Sequence, residues 1–368
     1  MITLTESTPA APVTLPPDPE RVDAFAGKLL DTLNGGALSL MISLGHRTGL
    51  FDTMASIPPA SSHDIARTAN LDERYVREWL GAMVTGGIAV HDPETGTYTL
   101  PVEHATLLTR DTSAPNLAVF SQWVPLLGQV EEEITTCFRE GGGVSYAAYP
   151  NFHKVMAEVS SMTVVQALEP FILPLIPGLT ERLENGIDVL DVGCGAGQAL
   201  NQLARLYPNS RFVGYDFSRE AADTANTQAA DAGLANVTFE VRDVASIDDV
   251  ERFDLITAFD AIHDQARPDR VLEGIARALK PGGVFLMQDI KAHSHVNGNL
   301  EHPIGTFLYT VSCMHCMTVS LSNDGMGLGA VWGQELAETM LADAGFRDVS
   351  INELEHDITN YYYVARKG

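Results

Sequence analysis

The chain has 368 residues, 45% of them hydrophobic, and its 23 basic against 48 acidic side chains leave a formal net charge of -25. That length and apolar content predict two domains with real cores and exclude disordered, collagen-like or coiled-coil readings of the whole chain. The charge disfavours nucleic acid and an anionic membrane surface, because both are bound largely through Lys and Arg.

Four cysteines, Cys137, Cys194, Cys313 and Cys316, do not make a secreted disulfide framework. The opening MITLTESTPAAPVTLPPDPE lacks the basic start and apolar core of a signal peptide, and no later run nears the roughly 18 apolar residues that span a bilayer. A soluble cytoplasmic protein is expected. Residues 1–18, mixed in Pro, Thr, Ala and Asp, read as a disordered tail.

From Pro19 onward, Phe25, Leu29, Leu33, Leu40 and Leu44 recur at helical spacings and predict one or two amphipathic helices before Gly45 and Gly49. The stretch SSHDIARTANLDERYVREWLGAMVTGGIAVHDPETGTYTLP then reads as two short helices and a hairpin, the order of a winged helix. Asp72 should cap the second helix, Tyr75, Val76, Trp79, Leu80 and Met83 should line its buried face, and Gly86 with Gly87 should end it. In many winged helices this second helix enters the DNA major groove. Here Arg74 and Arg77 stand beside Asp72, Glu73 and Glu78, which suits packing better than phosphate contact. This unit covers 19–110. Residues 111–178, partly apolar, helical in pattern and broken by three glycines at 141–143, read as a connector and a candidate cleft wall.

From Ile187 the texture is α/β. The runs IDVLDV, RFVGYD, VTFEVRD, FDLITAFD and GGVFLMQD alternate with helical stretches, the spacing of parallel strands joined by helices. The last two, DVSINEL and NYYYVAR, are too close for an intervening helix and should pair antiparallel.

The strongest chemical signal is VLDVGCGAGQAL, a buried strand running into Gly193, Gly195 and Gly197 with a helix directly afterwards. Small residues let the backbone approach a ligand, and the helix start offers free N–H groups. A dinucleotide fingerprint needs Gly or Ala three residues after its second Gly; counted from Gly193 that position is Gln198, so a nicotinamide oxidoreductase is poorly supported. Asp191, two residues before the first glycine, suits a cationic amino-acid portion and would repel a pyrophosphate. Asp216 ends the second strand run and suits a ribose diol; Asp243 ends the third, where it can accept from an adenine amino group.

At these residues the chain resembles the class I S-adenosylmethionine-dependent methyltransferases over roughly 179–368. The resemblance implies a Rossmann-like seven-stranded sheet with a terminal antiparallel hairpin, and S-adenosylmethionine as cofactor. It implies that Asp191, Gly193, Cys194 and Gly195 cradle the methionine portion, with Gly197 in the same loop. Asp216 with Phe217 would hold ribose and adenine, and Asp243 with Val244 would close around the adenine. Phe259 and Asp260, at the end of the fourth strand, are further cofactor contacts. With its mainly helical winged-helix amino-terminal domain, the whole chain resembles plant and microbial small-molecule methyltransferases, and an actinobacterial group of undefined substrate matching GLFDTMASIPP, ERYVREWLGAMVTGG and the segment around HCMTVSL. That implies a homodimer formed through the amino-terminal domain and no nucleic-acid or membrane partner.

AIHDQARPDRVLEGIARAL resembles the His-Asp-Trp segment of plant O-methyltransferases, whose histidine is the general base for the acceptor hydroxyl; carried over, it is His263. Gln265 replaces the Trp of that pattern, which leaves the substrate wall open. An excess of about forty residues near 291–331 should cover the pocket of a small-molecule acceptor. Within it, Tyr309 and His315 are candidate substrate contacts, as is His153 in the connector. Cys313 and Cys316 are read as structural, with no metal expected. The favoured reading is an O-methyltransferase; a transcriptional regulator with the cofactor as effector and an N- or C-methyltransferase are the alternatives.

Overall fold

A computed structural model describes residues 16–111 and 115–367. Residues 1–15 of the expected tail lie outside the described residues. The chain divides into two compact units, one ending at Pro101 and the other beginning at Val102.

In the first unit the one or two helices expected before Gly49 are a single long helix, α1 (Pro19–Thr48), which runs through Gly45. Asp18 caps it by accepting from the Glu20 N–H at 3.0 Å, and Gly49 ends it in the left-handed region at φ 72°. Phe25, Leu29, Leu33, Leu40 and Leu44 share this helix, yet all five are exposed. Then come α2 (Leu50–Ser56), α3 (Ser62–Ala69) and α4 (Glu73–Thr85), followed by the antiparallel pair β1 (Val90–Asp92) and β2 (Thr97–Thr99). Asp72 caps α4, and Val76, Trp79, Leu80 and Met83 are buried. Tyr75 is not. It is 80% exposed, because it stands about 100° around the helix from Val76, outside the arc the other four share. The Trp79 indole N–H donates to the Met41 carbonyl at 2.8 Å and ties α4 to α1. Both arginines of α4 are engaged within the helix, Arg74 with Glu78 at 2.5 Å and Arg77 with Glu73 at 3.3 Å.

The second unit is built on seven strands: β3 (Asp188–Val192), β4 (Arg211–Asp216), β5 (Val237–Val241), β6 (Phe253–Phe259), β7 (Leu279–Ile290), β8 (Phe346–Leu354) and β9 (Asp357–Lys367). Their order in the sheet is β5-β4-β3-β6-β7-β9-β8. The first five are parallel, and β9 runs antiparallel to both β7 and β8, closing the expected terminal hairpin. Both faces are covered, so the central strands read as continuous apolar runs. On one face Val189, Leu255 and Tyr362 pack with Leu200, Leu203 and Ala225 of the two helices Gln198–Leu206 and Arg219–Asp231. On the other, Leu190, Ile256 and Tyr363 pack with Val271, Ile275 and Leu341 of Pro268–Ala278 and Gly333–Asp343. Between β3 and β6 the order of connection reverses, which opens a crevice at the carboxyl ends of those strands. Among the described residues no single helix is long and apolar enough to cross a membrane.

Candidate active site

The glycine loop follows β3 into that crevice. Gly193 has φ 70°, and a Cβ there would lie 2.6 Å from the Ala261 methyl, so only glycine fits. Gly197, at φ 71°, is held as closely against the Phe239 ring. The carboxylate of Asp216 ties this loop to the next: Oδ2 accepts from the Gly195 N–H and Oδ1 from the Ser218 N–H, both at 2.8 Å. Asp191 is buried and accepts from the Thr257 hydroxyl at 2.7 Å. Burial pushes its carboxyl up to about 7, helped by the like charge of Asp216 and opposed by the Thr257 hydrogen bond.

Asp191, Gly193, Cys194, Gly195, Gly197, Asp216, Phe217, Val244, Phe259 and Asp260 line one cavity. Asp243 does not line it. Its side chain is exposed and caps the turn Val244–Ser246 by accepting from the Ala245 N–H at 2.9 Å. Among the described residues no Lys or Arg lines this cavity. A cradle with four aspartates, Asp191, Asp216, Asp260 and Asp264, no Lys or Arg among the described residues and a helix start suits an adenosyl group carrying a cationic amino acid and no phosphate, so S-adenosylmethionine fits the residues present. Tyr146 meets the Phe217 ring edge-on at 5.4 Å on the same wall.

A second cavity shares Phe152, Met156, Asp260 and Asp264 with the first. Apolar and aromatic side chains form most of its wall, among them Phe120, Trp123, Ile290, Phe307 and Val311. His263 lines it. The His263 Nδ1 lies 2.8 Å from Oδ1 of Asp289, which also accepts from the Trp332 indole at 3.0 Å and the Ile290 N–H at 2.8 Å. Burial alone would lower the pKa of His263, but the Asp289 carboxylate, with the Cys316 thiol, outweighs it and holds the ring well above 6.5. Asp289, itself held by the Trp332 indole, orients the ring through Nδ1.

The candidate substrate contacts fall in three places. His315 lines the second cavity. His153 lines the first, with Nε2 3.4 Å from the Ser218 hydroxyl. Tyr309 lines neither; it is 38% exposed and its hydroxyl accepts from Asn299 at 3.2 Å. Its helix, Gly305–Val311, turns Leu308 and Val311 to the cavity instead. Cys316 faces the cavity, whereas Cys313 does not line it. Sequence reasoning missed Asp289, Trp332, Tyr146 and Phe152. Asp289 carried one usable signal, an acid at the carboxyl end of a parallel strand.

Comparison with known proteins agrees with this geometry. Residues 36–110 match the family described as Rv2258c-like winged HTH domain, and residues 183–345 match the family described as methyltransferase domain. The chain is 31% identical over 127 residues to a ubiquinone biosynthesis O-methyltransferase of Coxiella burnetii, covering 34% of this chain and 49% of that protein. It is 32% identical over 106 residues to a fatty-acid O-methyltransferase of Mycolicibacterium smegmatis, covering 29% and 38% respectively. The chain thus spans at most about half the length of these curated relatives. Among solved structures, human N-acetylserotonin methyltransferase in complex with its cofactor has a TM-score of 0.68 at 20% identity, covering 93% of this chain and 98% of that one. The mitomycin 7-O-methyltransferase MmcR has a TM-score of 0.67 at 17% identity, covering 95% and 100%. At those identities the likeness is one of fold. Over residues 183–345 the chain thus carries a methyltransferase domain, preceded at 36–110 by an Rv2258c-like winged helix-turn-helix domain.

Proposed function

We propose that the protein transfers a methyl group to a hydroxyl of a small molecule, with His263 as general base. The observation that carries this reading is the His263–Asp289 pair, held in a largely apolar cavity that shares a wall with the glycine cradle. S-adenosylmethionine, when bound, supplies an activated electrophilic methyl on a sulfonium. Asp216 then meets the ribose hydroxyls and Asp191 the cationic amino-acid portion. His263 Nε2 accepts the acceptor proton, and Asp289 keeps the ring oriented and stabilises the imidazolium that forms. The apolar wall excludes water and aligns the acceptor for in-line attack.

In this reading residues 19–110 form a dimerisation domain, 111–178 a connector, and 179–368 the catalytic domain, with 291–331 supplying acceptor wall through Phe307, Val311 and His315. Titration with S-adenosylhomocysteine in the presence of NADH tests the cofactor assignment. Binding that NADH leaves unchanged is expected, and competition would favour an oxidoreductase.

Affinity for the cofactor should also fall with acidity. Asp191 has its carboxyl at about 7 in the free protein, and a cation beside it favours the charged form. Binding therefore releases a proton below that pH, and the dissociation constant should rise by up to about tenfold per pH unit as pH falls through 7. Calorimetry in buffers of different ionisation enthalpy reads the proton directly; a pH-independent affinity with no proton release excludes the Asp191 contact.

The partner for α1 is a second copy of this chain. Phe25, Leu29 and Leu33 are 60%, 54% and 69% exposed on one helix, an apolar stripe that a lone molecule would leave in water. Light scattering should return about twice 39.7 kDa, and Leu29→Asp with Leu33→Asp should return the single mass. A wild-type monomer refutes the dimer.

A further inference from the structure

His315 lines the second cavity, and neither of its ring nitrogens has a hydrogen-bond partner among the described residues. It is 1% exposed, stacked on Phe152 with centroids 4.1 Å apart and planes at 8°, and met edge-on by Trp123, Tyr146 and Tyr149. Burial, with the nearby His263 and His153, lowers its pKa to about 3, so the ring is neutral and holds one N–H donor and one bare nitrogen. Buried polar groups are almost always satisfied, so an orphaned pair on a ligand cavity marks a place for a ligand's polar atom. The backbone points the same way. Ser312–Cys316 is a π-helical turn, a rare distortion that concentrates at functional sites, and it brings the consecutive residues His315 and Cys316 to one cavity.

Charge narrows the class further. Among the described residues no Lys or Arg lines either cavity, while Asp260 and Asp264 line both and Asp289 stands behind His263. Once His263 is neutral, as a base must be before it accepts a proton, an anionic acceptor would be buried here without a counter-charge.

We propose that His315 selects the acceptor by hydrogen-bonding a second, uncharged polar group on an aromatic molecule whose first hydroxyl meets His263. This rests on the methyltransferase reading above. Aromatic walls from Phe120, Trp123, Phe152 and Phe307 suit a planar ring.

Binding to the full chain saturated with S-adenosylhomocysteine tests it without needing turnover. The probes are phenol, the three dihydroxybenzenes and 3-hydroxybenzoate, titrated by calorimetry. At least one dihydroxybenzene should bind about tenfold more tightly than phenol, the gain of one buried hydrogen bond, and 3-hydroxybenzoate should bind more weakly than either. His315→Phe and His315→Leu should both erase the preference for a dihydroxybenzene over phenol while leaving affinity for S-adenosylhomocysteine, whose cavity His315 does not line, intact; His315→Gln, which keeps a donor and an acceptor, should restore part of it. Equal binding of phenol and every dihydroxybenzene overturns the proposal. So does a preference that survives both apolar variants, tight binding of 3-hydroxybenzoate, or no binding by any probe. Failure of the wild-type protein to bind S-adenosylhomocysteine would instead sink the methyltransferase reading, so the two outcomes are distinct.

Discussion

Replacing His263 with Ala should lower turnover by about 10²- to 10⁴-fold while leaving affinity for S-adenosylhomocysteine nearly unchanged. The ring lines the acceptor cavity and not the cofactor cradle, so its loss removes proton acceptance without touching the groups that hold the adenosyl portion. Single-turnover kinetics beside a calorimetric titration separate the two effects, and wild-type turnover by the variant excludes the base assignment. The conservative variant Asp289→Asn sharpens the test. With the carboxylate gone, burial is left to lower the pKa of His263, so the alkaline rise of kcat/KM should move to lower pH. Its maximum should fall as well, since the ring becomes a weaker base and can take the wrong tautomer. A lost maximum with an unmoved pH profile would mean that Asp289 serves the fold alone.

Replacing Asp216 with Ala should weaken cofactor binding by about a hundredfold or more. Two contributions add: the hydrogen bonds to ligand hydroxyls, each about 1.5–3 kcal/mol when one partner is charged, and the pinning of the loop through Gly195 and Ser218. Asp216→Asn separates them. An amide oxygen can accept from one of the two N–H groups, so the loop is partly held while the charge is lost, and an intermediate affinity is expected. Wild-type affinity in Asp216→Ala, measured by calorimetry with S-adenosylhomocysteine, contradicts the ribose role. The same experiment on Asp243→Ala should show little change. That carboxylate is spent on capping its own turn and does not line the cavity.

The difference between those two acids shows how far local pattern reaches. Asp216 ends a parallel strand and Asp243 lies two residues beyond one, and such positions look alike in sequence. Asp216 lies on β4, beside the glycine loop, and its oxygens meet that loop's N–H groups; Asp243 follows β5 one strand further out and turns to its own backbone. Tyr75 and Tyr309 carry the same lesson for helices. Each lies within an apolar segment, and a single step of rotation puts each outside the covered arc. The stripe on α1 was legible as an apolar face, but nothing in its spacing said that this unit would leave it uncovered.

His263 shows the limit most clearly. Its partner Asp289 lies 26 positions later. The two meet because β7 lies beside β6 in a register that pairs Phe259 with Gln288 and brings the Gln288 carbonyl to the Asp260 N–H at 3.0 Å. Trp332, which steadies the same carboxylate, is 43 positions further on.

What the amino-acid sequence determined by itself was the order of the parts: a winged unit first, an alternating α/β sheet with an antiparallel end, and a glycine loop with Asp191 and Asp216 suited to a cation without phosphates. Those features are written in residues a few positions apart, where alternation, capping and glycine spacing act directly. Only the tertiary structure decided which histidine acquires a carboxylate, which is left unpartnered in an aromatic cage, and which acid faces solvent. Strand register and helix rotation make those choices. A shift of one residue turns a strand side chain to the opposite face and a helical one by about 100°, so such choices depend on packing across the whole unit and not on the neighbouring letters.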